Sequence, residues 1–130
     1  MTNRRTPLGV AGLAVLGIFL GACGSSGSPA ATAASFPPDA ARVVAQSEAF
    51  TTGSVAVPAD KAFSLVLDNR DNEPHNVTIL AKESGGKSPF VGEVFSGPSA
   101  RLYAVPALPA GTYPFRCDVH LQMTGTIVAG

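Results

Sequence analysis

Near the C-terminus, Cys117, His120 and Met123 follow one another at three-residue intervals in the run Cys117-Asp118-Val119-His120-Leu121-Gln122-Met123. A thiol, an imidazole and a thioether are soft or borderline metal ligands. Together they suit copper better than zinc, calcium or magnesium. Two-residue gaps let a tight loop bend all three side chains toward one point. The chain has one other histidine, His75, in Asn72-Glu73-Pro74-His75-Asn76-Val77. Each residue has a plainer use on its own. A lone cysteine is most often a small buried apolar group, a lone histidine a satisfied core residue, and a lone methionine a filler of core gaps. The joint spacing is what favours a metal. Zinc is the weaker variant, because a methionine is a poor zinc ligand.

Such side chains need rigid elements to hold them. From Phe36 to Gly130 the apolar residues recur with period two, punctuated by glycine and proline, which predicts strands. Predicted strands run over Val43 to Phe50 (a weak strand, or one with a helical start), Ser54 to Val57, Ala62 to Leu67, His75 to Leu80, Glu93 to Phe95, Arg101 to Val105, Thr112 to Asp118 and Thr124 to Val128. The phase puts His75, Val77 and Ile79 on one face, and Tyr113, Phe115 and Cys117 on another. Eleven prolines and fourteen glycines disfavour a helical fold. About seven or eight short strands at turn spacing predict an all-β sandwich or barrel. Lys82 to Phe90 reads as a loop, and Pro109-Ala110-Gly111 as a turn. Pro114 cannot donate a ladder hydrogen bond, so its strand is expected at an edge or with a bulge. Asp68, Asp71 and Glu73 read as a solvated turn before His75. Two inward-facing strands of such a sandwich can bring His75 and Cys117 to one end. The loop after Cys117 would then add His120 and Met123. Two imidazoles, one thiolate and a weak axial thioether form the blue-copper arrangement.

These residues resemble the cupredoxin family, of the plastocyanin, amicyanin and azurin kind. The likeness rests on Pro74-His75-Asn76-Val77, on Gly111-Thr112-Tyr113, and on Phe115, Cys117, His120, Met123 and Gly125. It covers roughly Phe50 to Val128, and the short Cys-x2-His-x2-Met loop is similar to that of amicyanin. The resemblance implies a Greek-key sandwich holding one type 1 copper ion. It makes His75, Cys117 and His120 the equatorial ligands and Met123 the axial one. Asn76 matches the position that ties the two ligand loops together. Leu121 departs from the family pattern, in which proline is common after the second histidine. The resemblance also makes His120 the electron port, with Leu121 and Pro74 in the docking surface.

The other end of the chain reads as an address. Arg4 and Arg5 precede an uncharged apolar run from Leu8 to Leu20. That run has signal-peptide length and falls short of the about twenty residues a membrane span needs. Leu20-Gly21-Ala22-Cys23 resembles the bacterial lipobox. The resemblance implies cleavage after residue 22 and lipid on Cys23. Residues 24–35 contain neither a charge nor a large apolar side chain and read as a flexible linker. The expected organisation is a signal peptide at 1–22, a lipidated cysteine and linker at 23–35, and a copper-binding domain at 36–130.

Composition narrows the function further. Lys plus Arg and Asp plus Glu both number nine. Zero net charge excludes a strongly basic nucleic-acid binder. Loss of residues 1–22 would remove Arg4 and Arg5 and leave a net charge of −2. Two histidines are too few for an enzyme with several coppers. A lipidated Cys23 leaves Cys117 without a disulfide partner. The expected protein is a monomeric, membrane-tethered carrier of single electrons between redox protein partners outside the cytoplasm. The alternative is a copper carrier or buffer without a dedicated electron-transfer role.

Overall fold

The structure is a computed structural model that describes residues 35–130. The expected signal peptide, Cys23 and nearly all of the linker lie outside the described residues. No helix among the described residues is long and apolar enough to cross a membrane.

Eleven short strands build the domain. They are β1 (Ala41–Gln46), β2 (Ala49–Phe50), β3 (Ser54–Val57), β4 (Phe63–Asn69), β5 (Pro74–His75), β6 (Thr78–Ile79), β7 (Phe90–Val91), β8 (Phe95–Ser96), β9 (Ser99–Val105), β10 (Gly111–Arg116) and β11 (Thr124–Ala129). One sheet runs β2-β1-β4-β9 and a second runs β3-β11-β10-β6-β7, while β5 and β8 form a separate two-stranded ladder. Most pairs are antiparallel; β1 with β4 and β3 with β11 are parallel. The all-β sandwich class holds. The strand number is higher than expected because two predicted strands are broken and β7 forms where a loop was expected, and the sheets do not close into a barrel.

The first break is a hairpin. Ser47 and Glu48 separate β1 from β2, both with positive φ (55° and 54°). This is the two-residue turn whose twist matches paired strands. The second break is at Asn76 and Val77. There the chain leaves its ladder with β8 and joins β10, so one run serves two sheets. Phe90, expected in a loop, instead opens β7 and pairs with Ile79.

The core lies between the two main sheets, because the strands turn alternate side chains inward. Tyr113 and Phe115 of β10, Ile127 and Ala129 of β11, Val55 and Val57 of β3, and Val43 and Ala45 of β1 are all buried. The Phe50 and Phe115 rings meet across the sheets at 5.2 Å between centroids. Central strand β4 buries Val66 as well as Leu65 and Leu67. Val66 stands between its register partners Arg42 and Leu102.

Pro114 corrects an expectation. It lies in a central strand, paired with Thr126 of β11, and neither at an edge nor in a bulge. Its carbonyl accepts the Leu80 N–H at 2.8 Å. In an antiparallel ladder a residue's N and O face the same side, so the missing donor faces β6. The β6 ladder there ends at Ile79 opposite Phe115, and no bond is lost from the β11 side.

Gly125 pairs with Phe115, and a Cβ on it would come within 2.3 Å of the Phe115 ring. Gly125→Ala must push that fully buried ring aside, at a cost of about 1–3 kcal/mol. We expect a Tm lower by about 5 °C or more in thermal unfolding followed by circular dichroism.

Tyr103 supplies a pH signature. It is buried, and its hydroxyl donates to the Glu93 carbonyl at 2.7 Å. Burial pushes its pKa up to about 12. The unfolded chain loses this proton near pH 10 and the folded chain holds it, so stability falls as pH rises from about 10 to about 12. Tyr103→Phe should flatten the slope of stability against pH in that window, as read from urea unfolding.

Candidate metal centre

β10 ends at Arg116, and the next residue continues its inward phase, so Cys117 is fully buried below Phe115. The loop that follows is tight. His120 O accepts the Met123 N–H at 2.9 Å, and Met123 O accepts the Cys117 N–H at 3.0 Å. Residues 117–123 thus form a closed turn that returns directly into β11. From the other side, the two-residue ladder of β5 with β8 fixes His75 opposite Phe95. His75 is fully buried.

The structure brings His75, Cys117 and His120 into one cluster, with their ligand atoms all within 4.8 Å of one another. His75 Nδ1 lies 3.8 Å from Cys117 Sγ and 3.1 Å from His120 Nδ1. The two imidazoles are inclined at 59° with centroids 4.8 Å apart, so they converge at their Nδ1 atoms without stacking. Three donors of soft or borderline type, two of them fully buried, fit a thiophilic transition metal. Met123 is buried at the far end of the same loop, its backbone bracketing Cys117.

Asn76 joins the two ligand segments through its side chain. Its Oδ1 accepts the Asp118 N–H at 2.8 Å, and its Nδ2 donates to Gly92 O at 2.9 Å and to Asp118 Oδ2 at 3.0 Å. Thr78 Oγ1 adds a bond to the same carboxylate oxygen at 2.5 Å. Burial is the largest single influence on Asp118 and pushes its pKa up. The bonds from Asn76, Thr78 and Arg116 together outweigh it and hold the carboxyl below its ordinary value.

Each of the two segments also has a carboxylate beside it that the sequence pattern does not single out. Asp71, expected in a solvated turn, turns toward the cluster and meets His75 Nε2 at 3.0 Å. Its pKa is lowered, chiefly by the Glu48 N–H, with the Ser47 N–H and His75 adding to that effect against burial. Its place four residues before the histidine was the available signal. For Asp118 the signal was its position next to the thiol. Pro74 is half-buried, while Val119 and Leu121 are exposed beside His120.

The cupredoxin-like domain family matches residues 13–129 of the chain. The chain belongs to that family. Among solved structures, amicyanin from Paracoccus versutus is 27% identical, with a TM-score of 0.58, over 73% of this chain and 85% of that one. An amicyanin variant in its Cu(I) form is 25% identical, with a TM-score of 0.58, over 73% of this chain and 86% of that one. Reduced auracyanin from Roseiflexus castenholzii has a TM-score of 0.59 over 68% of this chain and 94% of that one; at 15% identity it supports the fold alone. The comparison with curated proteins returned no match. As a cupredoxin, the chain departs from plain sandwich patterning where β5 and β6 part around Asn76, at the point where the site is assembled.

Proposed function

We propose that the chain is a type 1 copper protein that carries single electrons, tethered through lipid on Cys23 to the outer face of the cell membrane. The observation that supports this best is the convergence of His75 Nδ1, His120 Nδ1 and Cys117 Sγ at a buried point of a cupredoxin sandwich. In this reading His75, Cys117 and His120 would hold the copper, with Met123 as a further, weaker donor. Copper bound there supplies a one-electron change between Cu(II) and Cu(I).

The protein's own part is to keep those donors still. Asn76 and Asp118 lock one segment to the other, and the backbone bonds of residues 117, 120 and 123 close the loop. Such ties keep the ligand positions fixed in both oxidation states, so little rearrangement accompanies transfer. Of the three clustered donors, only His120 is not fully buried. Electrons enter and leave through its exposed edge. The exposed Val119 and Leu121 beside it form an apolar rim for a redox protein partner, which docks weakly over a small area.

The test is to load the full chain with Cu(II) and cycle it with a reductant and an oxidant. Intense visible absorption that bleaches and returns is the expected result. A colourless copper-loaded protein, or zinc in protein purified from its own cell, would overturn the reading. The tether is tested separately by Cys23→Ser, which should move the protein from the membrane fraction to the soluble one.

A further inference from the structure

The hairpin turn between β1 and β2 carries two non-glycine residues in the left-handed region, Ser47 at φ 55° and Glu48 at φ 54°. Asparagine and glycine are the usual occupants of such positions. For other residues the conformation costs about 1–2 kcal/mol each. Consecutive residues of this kind persist when surrounding contacts over-determine them. Here those contacts come from one side chain more than twenty positions away. The Ser47 N–H donates to Asp71 Oδ1 at 2.7 Å, and the Glu48 N–H donates to Asp71 Oδ2 at 3.0 Å.

The same Oδ2 meets His75 Nε2 at 3.0 Å. An ionised carboxylate only accepts, so Nε2 must carry the hydrogen. In the neutral ring the lone pair then lies on Nδ1, the atom 3.1 Å from His120 Nδ1 and 3.8 Å from Cys117 Sγ. Asp71 is held from behind as well. Its N–H donates to Asn69 Oδ1 at 3.0 Å, and the buried Asn69 amide donates to Glu73 O and Phe95 O. The His75 side chain is 0% exposed, so water cannot readily replace the carboxylate at Nε2.

We propose that Asp71 is a positioning residue for His75. The Ser47–Glu48 turn holds its carboxylate where it fixes both the tautomer and the direction of that imidazole. The turn is thereby mechanically part of the metal centre, although no turn residue belongs to the donor cluster. The inference rests on the copper reading only in treating Nδ1 as the ligand atom.

The experiment reads the His75 tautomer by nitrogen-15 NMR in the metal-free full chain, together with the copper affinity. Wild-type protein should show His75 with its hydrogen on Nε2. Asp71→Ala should shift the ring toward the Nδ1–H form or a mixture, and copper affinity should fall tenfold to a hundredfold. Asp71→Asn can still present an amide oxygen to Nε2. Its Nδ2 then faces the Ser47 N–H, donor against donor, so it should restore the wild-type tautomer but only part of the affinity. An Nδ1–H tautomer in the wild-type protein would overturn the proposal without any variant. So would an unchanged tautomer in Asp71→Ala, or an Asp71→Asn variant that behaves like alanine. A wild-type protein with the Nε2–H tautomer that fails to bind copper would support this proposal and overturn the copper reading instead.

Discussion

Cys117→Ser should abolish the intense visible absorption of the copper-loaded protein. The reason is the donor atom and not its place. Serine puts an oxygen near the position of the sulfur, at the end of β10 and beside the same two imidazoles. A neutral hydroxyl is a harder and far weaker donor than a thiolate, so it neither selects copper nor yields strong thiolate-to-copper absorption. We expect complete loss of the band and a large loss of copper affinity. The fold should survive. Cys117 is fully buried, and a buried hydroxyl without a good partner costs about 1–3 kcal/mol, within the margin of a stable domain. Far-ultraviolet circular dichroism of the metal-free variant checks that point, and Cys117→Ala separates loss of the donor from the cost of the hydroxyl. A visible band of wild-type strength in the serine variant would mean that sulfur is not the ligand.

The parts of the molecule legible in its sequence are those where a single rule acts. β3 is legible at its true bounds because Val55 and Val57 alternate with exposed neighbours and Pro58 ends the run. β10 and β11 are legible to within two residues for the same reason, and the phase of β10 carries Cys117 inward. The hairpin of β1 with β2 looks like one strand in the sequence. Ser47 and Glu48 are neither glycine nor asparagine, the residues that signal a two-residue turn with positive φ, and their conformation is held by Asp71, a contact invisible to local pattern. The run from His75 has the alternation of a single strand. The break at Asn76 and Val77 comes from two separate sheets drawing on one segment.

The site divides along the same line. The clustering of His75, Cys117 and His120 is legible because few residue types bind a soft metal and the chain has very few of them. The carboxylates were not. Asp and Glu are common on surfaces, and only the folded geometry separates Asp71 and Asp118 from Asp68, which pairs with Arg42 and Arg70 at the surface. Donor identity is therefore written locally, while donor orientation is written in contacts between distant segments. A variant that disturbs orientation alone should leave the donor set intact and still weaken the centre.

Asn76→Ala is that variant, and it should damage stability and metal binding together. The amide makes its bonds to Asp118 N, Asp118 Oδ2 and Gly92 O from a position that is 1% exposed. Alanine leaves the buried Gly92 carbonyl and the part-buried Asp118 N–H without these partners, and an unpaired buried group costs about 1–3 kcal/mol. A loss of about 2–4 kcal/mol in urea unfolding of metal-free protein is expected. Copper affinity should fall roughly tenfold to a hundredfold, because the tie between the His75 and Cys117 segments is gone. Asn76→Asp sharpens the argument. It keeps the size and keeps an acceptor for the Asp118 N–H. It replaces the donating amide with a carboxylate oxygen at the site 3.0 Å from Asp118 Oδ2. Two like charges at that range repel. The aspartate variant should therefore be no more stable than the alanine variant at neutral pH, despite its closer shape. Wild-type stability in Asn76→Asp would show that the donating amide of Asn76 adds nothing beyond its size and the acceptor that aspartate keeps.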